Sequence, residues 1–398
     1  MPRGNQKVPQ IKMTIRNTLP IKRENVPVII SLDQLKQVAQ DFSFKAFMVI
    51  EENTGLQNPQ RNEEPIHAQV DDTDYDGERD QLVFLIDLAP TEAKTVFIRY
   101  VSETAENQMP LTFGFTKQTR AGIFPHLNAL AAIESELSVY LLKANGAISV
   151  LAKKTEKLEL NRLGREEDNK QPNTIELKRT EDLIGYGGFV LRMRNDNKPD
   201  GLDPLRYVPH PKDSSPYQHV RVIMDGPVRS TIERIIPNCT VGDKEIELTE
   251  TLSIYGKSRF AEHRIKIQGS LEGVLIETGI PKSRDNQVDE KKGLIQSWQD
   301  AILGQPGEGQ IGVGLVYPTS PISVDTDFSR ILAIFLKNSS SRILLKPDKN
   351  GEVIWYVVGV CNKGDLGFKT EEDFKQFLGL KAVELHTPPI VQLFEPEE

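Results

Sequence analysis

A long succession of short segments rich in Val, Ile and Phe, many of them alternating apolar and polar residues, constrains this chain more than anything else in it. "KMTIRNTL", "VPVIISL", "KAFMVIEE", "QLVFLIDL" and "KTVFIRYV" fill the first hundred residues, separated by Pro, Asn, Asp and Gly. A second series runs from "SELSVYLLK" through "HVRVIMD", "KEIELTETLSIYG", "RFAEHRIKIQG" and "RILAIFLK" to "EVIWYVVGV". A period of two sends successive side chains to opposite faces, which makes the alternating segments half-buried strands. So many strands without interleaved helices can only bury their apolar faces against one another. The expected fold is therefore all-β: a small N-terminal β unit over residues 1–115, then a large antiparallel β-sandwich over 120–398. Helices are few. "SLDQLKQVAQDF" has Ser31 as its N-cap, and "TEEDFKQFLGL" carries a capping box of Thr370 and Asp373. Residues 160–182 and 195–218, polar and rich in Asn, Asp and Pro, read as long loops, which in a compact domain are usually functional or disordered.

Charge and hydropathy then remove function classes. With 57 acids against 49 bases, the chain lacks the cationic excess that general binding of nucleic acid requires. It has no run of 18 apolar residues, so no membrane-spanning helix is expected. "MPRGNQKVPQIKMTI" lacks the apolar stretch of a signal peptide, which leaves a cytoplasmic protein or one whose signal has been removed. Cys239 and Cys361 lie in apolar contexts and read as buried free thiols, with a single long-range disulfide as the alternative. "GYGGF" lacks the Lys and following helix of a phosphate cradle, so no organic cofactor is expected.

"DDTDYDGERD" is the most specific local motif. Asp72, Asp74, Asp76 and Asp80 fall at positions 1, 3, 5 and 9 of a loop turned by Gly77, with the Glu78 carbonyl as a further oxygen. Calcium takes six to eight oxygens, and alternating carboxylates on a tight loop supply them. Position 12 is Val83 rather than a bidentate Glu, so the loop is no EF-hand; it resembles the shorter calcium loop that precedes a strand. The expected role is structural calcium, which favours an extracytoplasmic setting, periplasmic or secreted. A plain solvated hairpin is the alternative.

The order of several segments resembles a known family. "IRNTLPIKRENVPVIISLDQL", the acidic "DDTDYDGERDQLVFLIDLAPTEAKTVFIRY", "IESELSVYLLKANGAISVLAKK", "VIMDGPVRSTIERII", "IYGKSRFAEHRIKI" and "VIWYVVGVCNKGDLGFKTEEDFKQFL" together look like the bacterial domain-of-unknown-function family numbered 4861. The resemblance spans roughly residues 12–381 and is weakest over 155–215. It implies a sandwich similar to galactose mutarotase, binding sugar on the concave face of its larger sheet. It also implies a carbohydrate partner, with uronic acid among its sugars.

Candidate residues are sought on the polar phase of strands. In "IESELSVY", Glu134, Glu136 and Tyr140 have even spacing and would share one face. In "YQHVRVIMDGP", Tyr217, His219 and Arg221 would do the same, directly after a long loop. A Tyr, His and Arg set suits abstraction of the proton α to a uronate carboxylate: Arg neutralises the acid, while His or Tyr moves the proton. "RFAEHRIKI" offers His263 on one phase with Arg259, and Glu262 with Arg264 on the other. Arg192 and Arg194 would clamp a carboxylate, and Trp298 would stack on a sugar. The expected catalytic set is thus His219, Tyr217, Arg221, His263 and Glu136. Arg192, Arg194, Glu134, Tyr140 and Trp298 would bind substrate. The expected function is action on a uronate-containing oligo- or polysaccharide by elimination, epimerisation or hydrolysis. The alternative is a non-catalytic carbohydrate-binding protein.

Overall fold

A computed structural model describes residues 9–52, 65–102, 115–163, 173–176, 184–194, 218–241, 244–281, 285–300, 309–318 and 342–395. It begins with β1 (Gln10–Arg16), β2 (Arg23–Ser31), α1 (Leu32–Val38), β3 (Phe42–Glu51), β4 (Ala68–Asp71), β5 (Gln81–Leu88) and β6 (Ala93–Ser102). There follow β7 (Thr119–Gly122), β8 (Ala131–Ser135), β9 (Ser138–Leu142), β10 (Ile148–Lys153), β11 (Thr174–Glu176), β12 (Phe189–Met193), β13 (His219–Asp225) and β14 (Arg229–Val241). The chain continues with β15 (Lys244–Tyr255), β16 (Phe260–Gly269), β17 (Val274–Gly279), β18 (Gln287–Asp289), β19 (Leu294–Asp300) and β20 (Gln310–Val316). It closes with β21 (Arg342–Leu345), β22 (Glu352–Cys361), α2 (Glu371–His386) and β23 (Ile390–Phe394). The fold is an all-β sandwich architecture, as the alternation predicts. The predicted strand "RILAIFLK" lies outside the described residues.

The chain forms two compact units. The first comprises residues 1–118, 226–229 and 387–398. Where the sequence suggested a single break near residues 115–120, two later segments join this unit, and the last brings β23. The unit has a four-stranded sheet, β23-β1-β6-β3, and a three-stranded one, β2-β5-β4. Alternation builds its core: Ile11, Met13 and Ile15 of β1 are fully buried, with Lys12 and Thr14 between them and exposed Arg16 after them. The predicted cap of α1 is present. Ser31 Oγ accepts from Gln34 N–H at 3.1 Å, and Gln34 Oε1 accepts from Ser31 N–H at 3.2 Å.

The second unit, residues 119–225 and 230–386, holds an eight-stranded antiparallel sheet, β13-β14-β15-β16-β22-β20-β19-β18. Its other sheets are β11-β10-β9-β8-β7 and β12-β17-β21. The main core joins all three, drawing on Ile232, Leu248, Ile265 and Trp355 of the large sheet, Tyr140 and Val150 of the five-stranded sheet, and Leu191 and Ile276 of the smallest. The opposite face of the large sheet carries a separate cluster, where Phe374, Leu378 and Ala382 of α2 pack on Leu294, Trp298 and Val316. Glycines in β20 make this docking close: a Cβ at Gly314 would lie 2.7 Å from Leu378, and one at Gly312 2.8 Å from the Trp298 ring. Thr370 and Asp373 form the predicted reciprocal cap of α2, both bonds at 3.1 Å. Both cysteines are buried free thiols. No helix among the described residues is long and apolar enough to cross a membrane.

Candidate functional site

In the first unit, the acidic loop sits between β4 and β5. Gly77 makes the expected sharp turn with φ +98°. Asp72, Asp74 and Asp80 bring one carboxylate oxygen each within 4.8 Å of one another. The same carboxylates shape the loop. Asp72 accepts from Tyr75 N–H at 2.6 Å and Gly77 N–H at 3.0 Å, Asp74 from Asp76 N–H at 3.2 Å, and Asp80 from the Thr73 hydroxyl at 2.7 Å. Asp76 stands apart from the three: its carboxylate accepts from Glu78 N–H at 2.8 Å. The oxygen set is the one that calcium prefers.

The sugar-site expectations divide. Glu134, Glu136 and Tyr140 do not share a strand face. β8 ends at Ser135 and β9 starts at Ser138, so a tight hairpin at Glu136 and Leu137 interrupts the alternation and resets the phase. Tyr140 points into the main core, where its hydroxyl meets the Val357 carbonyl at 2.9 Å. Glu134 is fully buried on the other side of the sheet. It pairs with the equally buried Lys153 at 2.5 Å and accepts N–H groups of Glu159 and Leu160. Neither is positioned to touch a sugar. Glu136 accepts from Lys257 N–H at 3.0 Å.

His263 is a core residue as well. It is fully buried, with Nδ1 2.8 Å from the Gly187 carbonyl and Nε2 2.7 Å from Glu250, which also pairs with buried Arg234. Trp355 Nε1 donates to the same carbonyl at 2.8 Å. Gly187 has φ +80°, and a Cβ there would lie 2.2 Å from Val357, so the loop rests directly on the sheet. Burial disfavours the charged form of Glu250, but Arg234 and His263 outweigh it and hold the carboxyl below its ordinary range.

Arg192 does clamp a carboxylate, but an internal one. Its Nε lies 2.5 Å from buried Glu277, whose other oxygen lies 2.6 Å from Arg342 Nη1. Arg194, at the end of β12, is exposed. Trp298 is covered by α2, its ring 5.8 Å from that of Phe374, and Nε1 donates to Gln310 at 3.0 Å. Tyr217 lies outside the described residues. His219 and Arg221 share a face of β13 as expected, because the alternating Val220 and Val222 pack on the main core. Arg221 Nε bonds Glu233 of β14 at 2.7 Å. Arg192 belongs to a different sheet, so the structure does not gather it with His219 and Arg221.

What it does gather is a polar field on the outward face of the large sheet. Register aligns Ser253, Glu262 and Tyr356 as one row across β15, β16 and β22, and Thr251, Arg264 and the apolar Ile354 as the next. Thr231 Oγ1 extends the first row, 2.9 Å from Ser253 Oγ. Arg264 sits between two carboxylates, with Nη2 3.1 Å from Glu262 and Nη1 3.0 Å from Glu352. Glu352 also lies 3.9 Å from Lys266. The Arg264 side chain is 38% exposed, that of Glu352 29% and that of Glu262 16%, so the cluster reaches solvent. Burial raises the pKa of the Tyr356 phenol above its ordinary value of 10.0, and the charge of the neighbouring Glu262 carboxylate raises it further, so the phenol stays protonated. Among the described residues α2 packs over β19 and β20 of this face. Sequence reasoning paired Glu262 with Arg264 but missed Tyr356 and Glu352. The alternation of "EVIWYVVGV" puts both on the phase opposite Val353, Trp355 and Val357.

Comparison with solved structures supports the fold. A protein in glycosyl hydrolase family 38 from Enterococcus faecalis superposes with a TM-score of 0.52 at 10% identity, over 98% of this chain and 48% of the other. An alpha-mannosidase from Enterococcus faecalis V583 gives a TM-score of 0.51 at 10% identity, over 98% and 46%. The chain therefore spans about half the length of each. No curated protein matches. Residues 15–174 and 184–391 match a single family, with a break narrower than the weak stretch that the motifs suggested. The chain thus belongs to the family described as domain of unknown function DUF4861.

Proposed function

We propose that this chain is a carbohydrate-active protein that takes its sugar on the outward face of the eight-stranded sheet, and that the sugar contains uronic acid. One observation carries the reading: hydroxyl, carboxylate, guanidinium and phenol groups lie in register on the sheet face opposite the apolar core, where Thr231 and Ser253 are buried and Arg264, Glu352 and Glu262 reach solvent. Such an array offers the convergent donors and acceptors that sugar hydroxyls need, and Arg264 and Arg221 offer forks that match a carboxylate. The likeness to a family 38 glycosyl hydrolase and an alpha-mannosidase is compatible with a sugar partner. Elimination, epimerisation and hydrolysis all remain chemistries of this reading. The pairing of Arg221 with Glu233 and of Arg264 with Glu262 and Glu352 supports a second one, a non-catalytic binding module.

Thr251 lies between these groups and is half-buried. Thr251→Trp is expected to fill the face and weaken binding of oligouronates by at least ~10-fold, as read by calorimetry, with the melting temperature little changed. Unchanged affinity in this variant would move the sugar elsewhere. Failure of the wild-type chain to bind any of a panel of neutral and acidic oligosaccharides would end the carbohydrate reading.

We further propose that the acidic loop holds a structural calcium ion, with Asp72, Asp74 and Asp80 as its carboxylates, and that the protein works in an extracytoplasmic setting where free calcium is plentiful. Removing calcium with a chelator should lower the melting temperature by several degrees, and added calcium should restore it; each ~1 kcal/mol of lost ligand linkage moves a domain of this size by roughly 2–4 °C. Asp72→Asn together with Asp80→Asn should abolish the response. A melting curve indifferent to calcium would leave the loop as a hairpin shaped by its own carboxylates.

A further inference from the structure

We propose that Glu262, Tyr356 and Arg264 form an acid–base centre that cleaves uronate glycosides by β-elimination, with Glu352 as an internal carboxylate that the substrate's own carboxylate displaces. This rests on the reading of the outward face as a carbohydrate site and adds a reaction to it.

The first argument is the state of Arg264. Its two terminal nitrogens are each held by a carboxylate, Glu262 at 3.1 Å and Glu352 at 3.0 Å. The two carboxylates are not equivalent. Glu262 pairs across the sheet with Tyr356 and is the less exposed. Glu352 begins its strand, is more exposed, and has Lys266 at 3.9 Å as a second cation. An incoming carboxylate can therefore take the place of Glu352 on Arg264 Nη1 while Glu352 keeps Lys266. A guanidinium fork in this position neutralises a uronate carboxylate and so acidifies the hydrogen on the adjacent C5.

The second argument is the pairing of Glu262 with Tyr356. Elimination needs a base for the C5 proton and an acid for the leaving oxygen on C4. A carboxylate and a protonated phenol at directly paired positions of adjacent strands supply both. Glu262 takes the proton from C5, and the electrons of the C5–H bond form the C4=C5 double bond. The C4–O4 bond breaks as O4 takes the proton of the Tyr356 hydroxyl. The resulting phenolate then recovers a proton from Glu262, its cross-strand neighbour. Both groups return to their starting states, one glycosidic bond is replaced by a hydroxyl and a double bond, and no co-reactant is consumed. Burial around Tyr356 suits it to the acid role, since it keeps the proton until a developing alkoxide demands it.

The test uses the full chain with a 4-linked oligogalacturonate and its neutral, carboxyl-reduced counterpart, and follows the absorbance of the conjugated double bond alongside calorimetric binding. The acidic oligosaccharide is expected to gain absorbance and the neutral one to gain none. Tyr356→Phe should lower turnover by at least ~100-fold, the scale of a lost general acid, with affinity within ~3-fold of wild type. Glu262→Gln should lose turnover similarly. Glu352→Gln should tighten oligouronate binding several-fold by freeing Arg264, a gain that a merely structural carboxylate would not produce. Melting curves show whether each variant is folded. An oligouronate that binds without forming a double bond, or turnover unaffected in folded Tyr356→Phe, would overturn the elimination and leave the carbohydrate reading standing. Absence of binding to any acidic or neutral oligosaccharide would remove both.

Discussion

Replacing Glu134 with alanine is expected to cost about 3–5 kcal/mol of folding stability, the range seen when one member of a buried ion pair is removed. The two side chains are fully buried, and the ammonium of Lys153 is matched by three acceptors: Glu134 at 2.5 Å, the Ser135 carbonyl at 2.6 Å and the Lys157 carbonyl at 2.5 Å. Glu134 in turn holds the N–H groups of Glu159 and Leu160, both at 2.8 Å at their closest. Alanine would strand a buried cation and two backbone donors together. Adding Lys153→Met should recover part of the loss by removing the unpaired charge. Burial already lowers the pKa of Lys153, against the pull of Glu134. Without Glu134 that lowering deepens, and the unfolded chain then binds more protons than the folded one below the ordinary lysine range. The deficit of the variant should therefore shrink as pH rises. Urea unfolding at neutral and mildly alkaline pH measures both effects, and a loss below ~1 kcal/mol would show that water reaches this pair.

Glu250→Gln is expected to have a similar cost, about 3–5 kcal/mol at neutral pH, because Glu250 is the one carboxylate between fully buried Arg234 and His263. The pH dependence has the opposite sign. The folded-state pKa of Glu250 lies below its ordinary 4.5, so its contribution is in full above that value and is lost as pH falls through the depressed one. The stability gap between wild type and Glu250→Gln should thus be widest near neutrality and narrow on acidification. A gap that stays constant down to acid unfolding would mean that the stabilisation is not ionic.

The two sites also show what the sequence could and could not reveal. Strands such as β1 and β16 were legible because burial follows parity along most of their length: Ala261, His263, Ile265 and Ile267 go in, while Glu262, Arg264 and Lys266 go out, and only Phe260, under α2, is buried on the outward phase. Parity alone therefore separated His263 from Glu262. The choice of His263 as catalytic came from side-chain chemistry, whereas its shared phase with Ile265 already argued for the interior. Arg234 carries the same signal, between Ile232 and Ile236, as does Glu250 between Leu248 and Leu252. Polar residues on an apolar phase find one another inside the sandwich, and that pairing depends on which strands become neighbours, which no local pattern encodes. The hairpin at Glu136 and Leu137 was illegible for another reason. "IESELSVY" alternates without a Gly, Pro, Asn or Asp to announce the turn. Tyr356 was hidden by an apolar run in which a phenol reads as one more core side chain.

The pairing of β1 with β23 also sets a schedule for synthesis. Met13 lies opposite Leu393 and Ile15 opposite Val391, so the sheet that begins at residue 10 gains its last strand only when residue 394 has been made. On the ribosome, the strands of the second unit through β22 all emerge before that strand exists. Until then β1 presents an open edge, ready to accept a strand from another chain. The unit that begins before the second one is therefore completed after it, and chains halted shortly before residue 390 should be aggregation-prone products of expression.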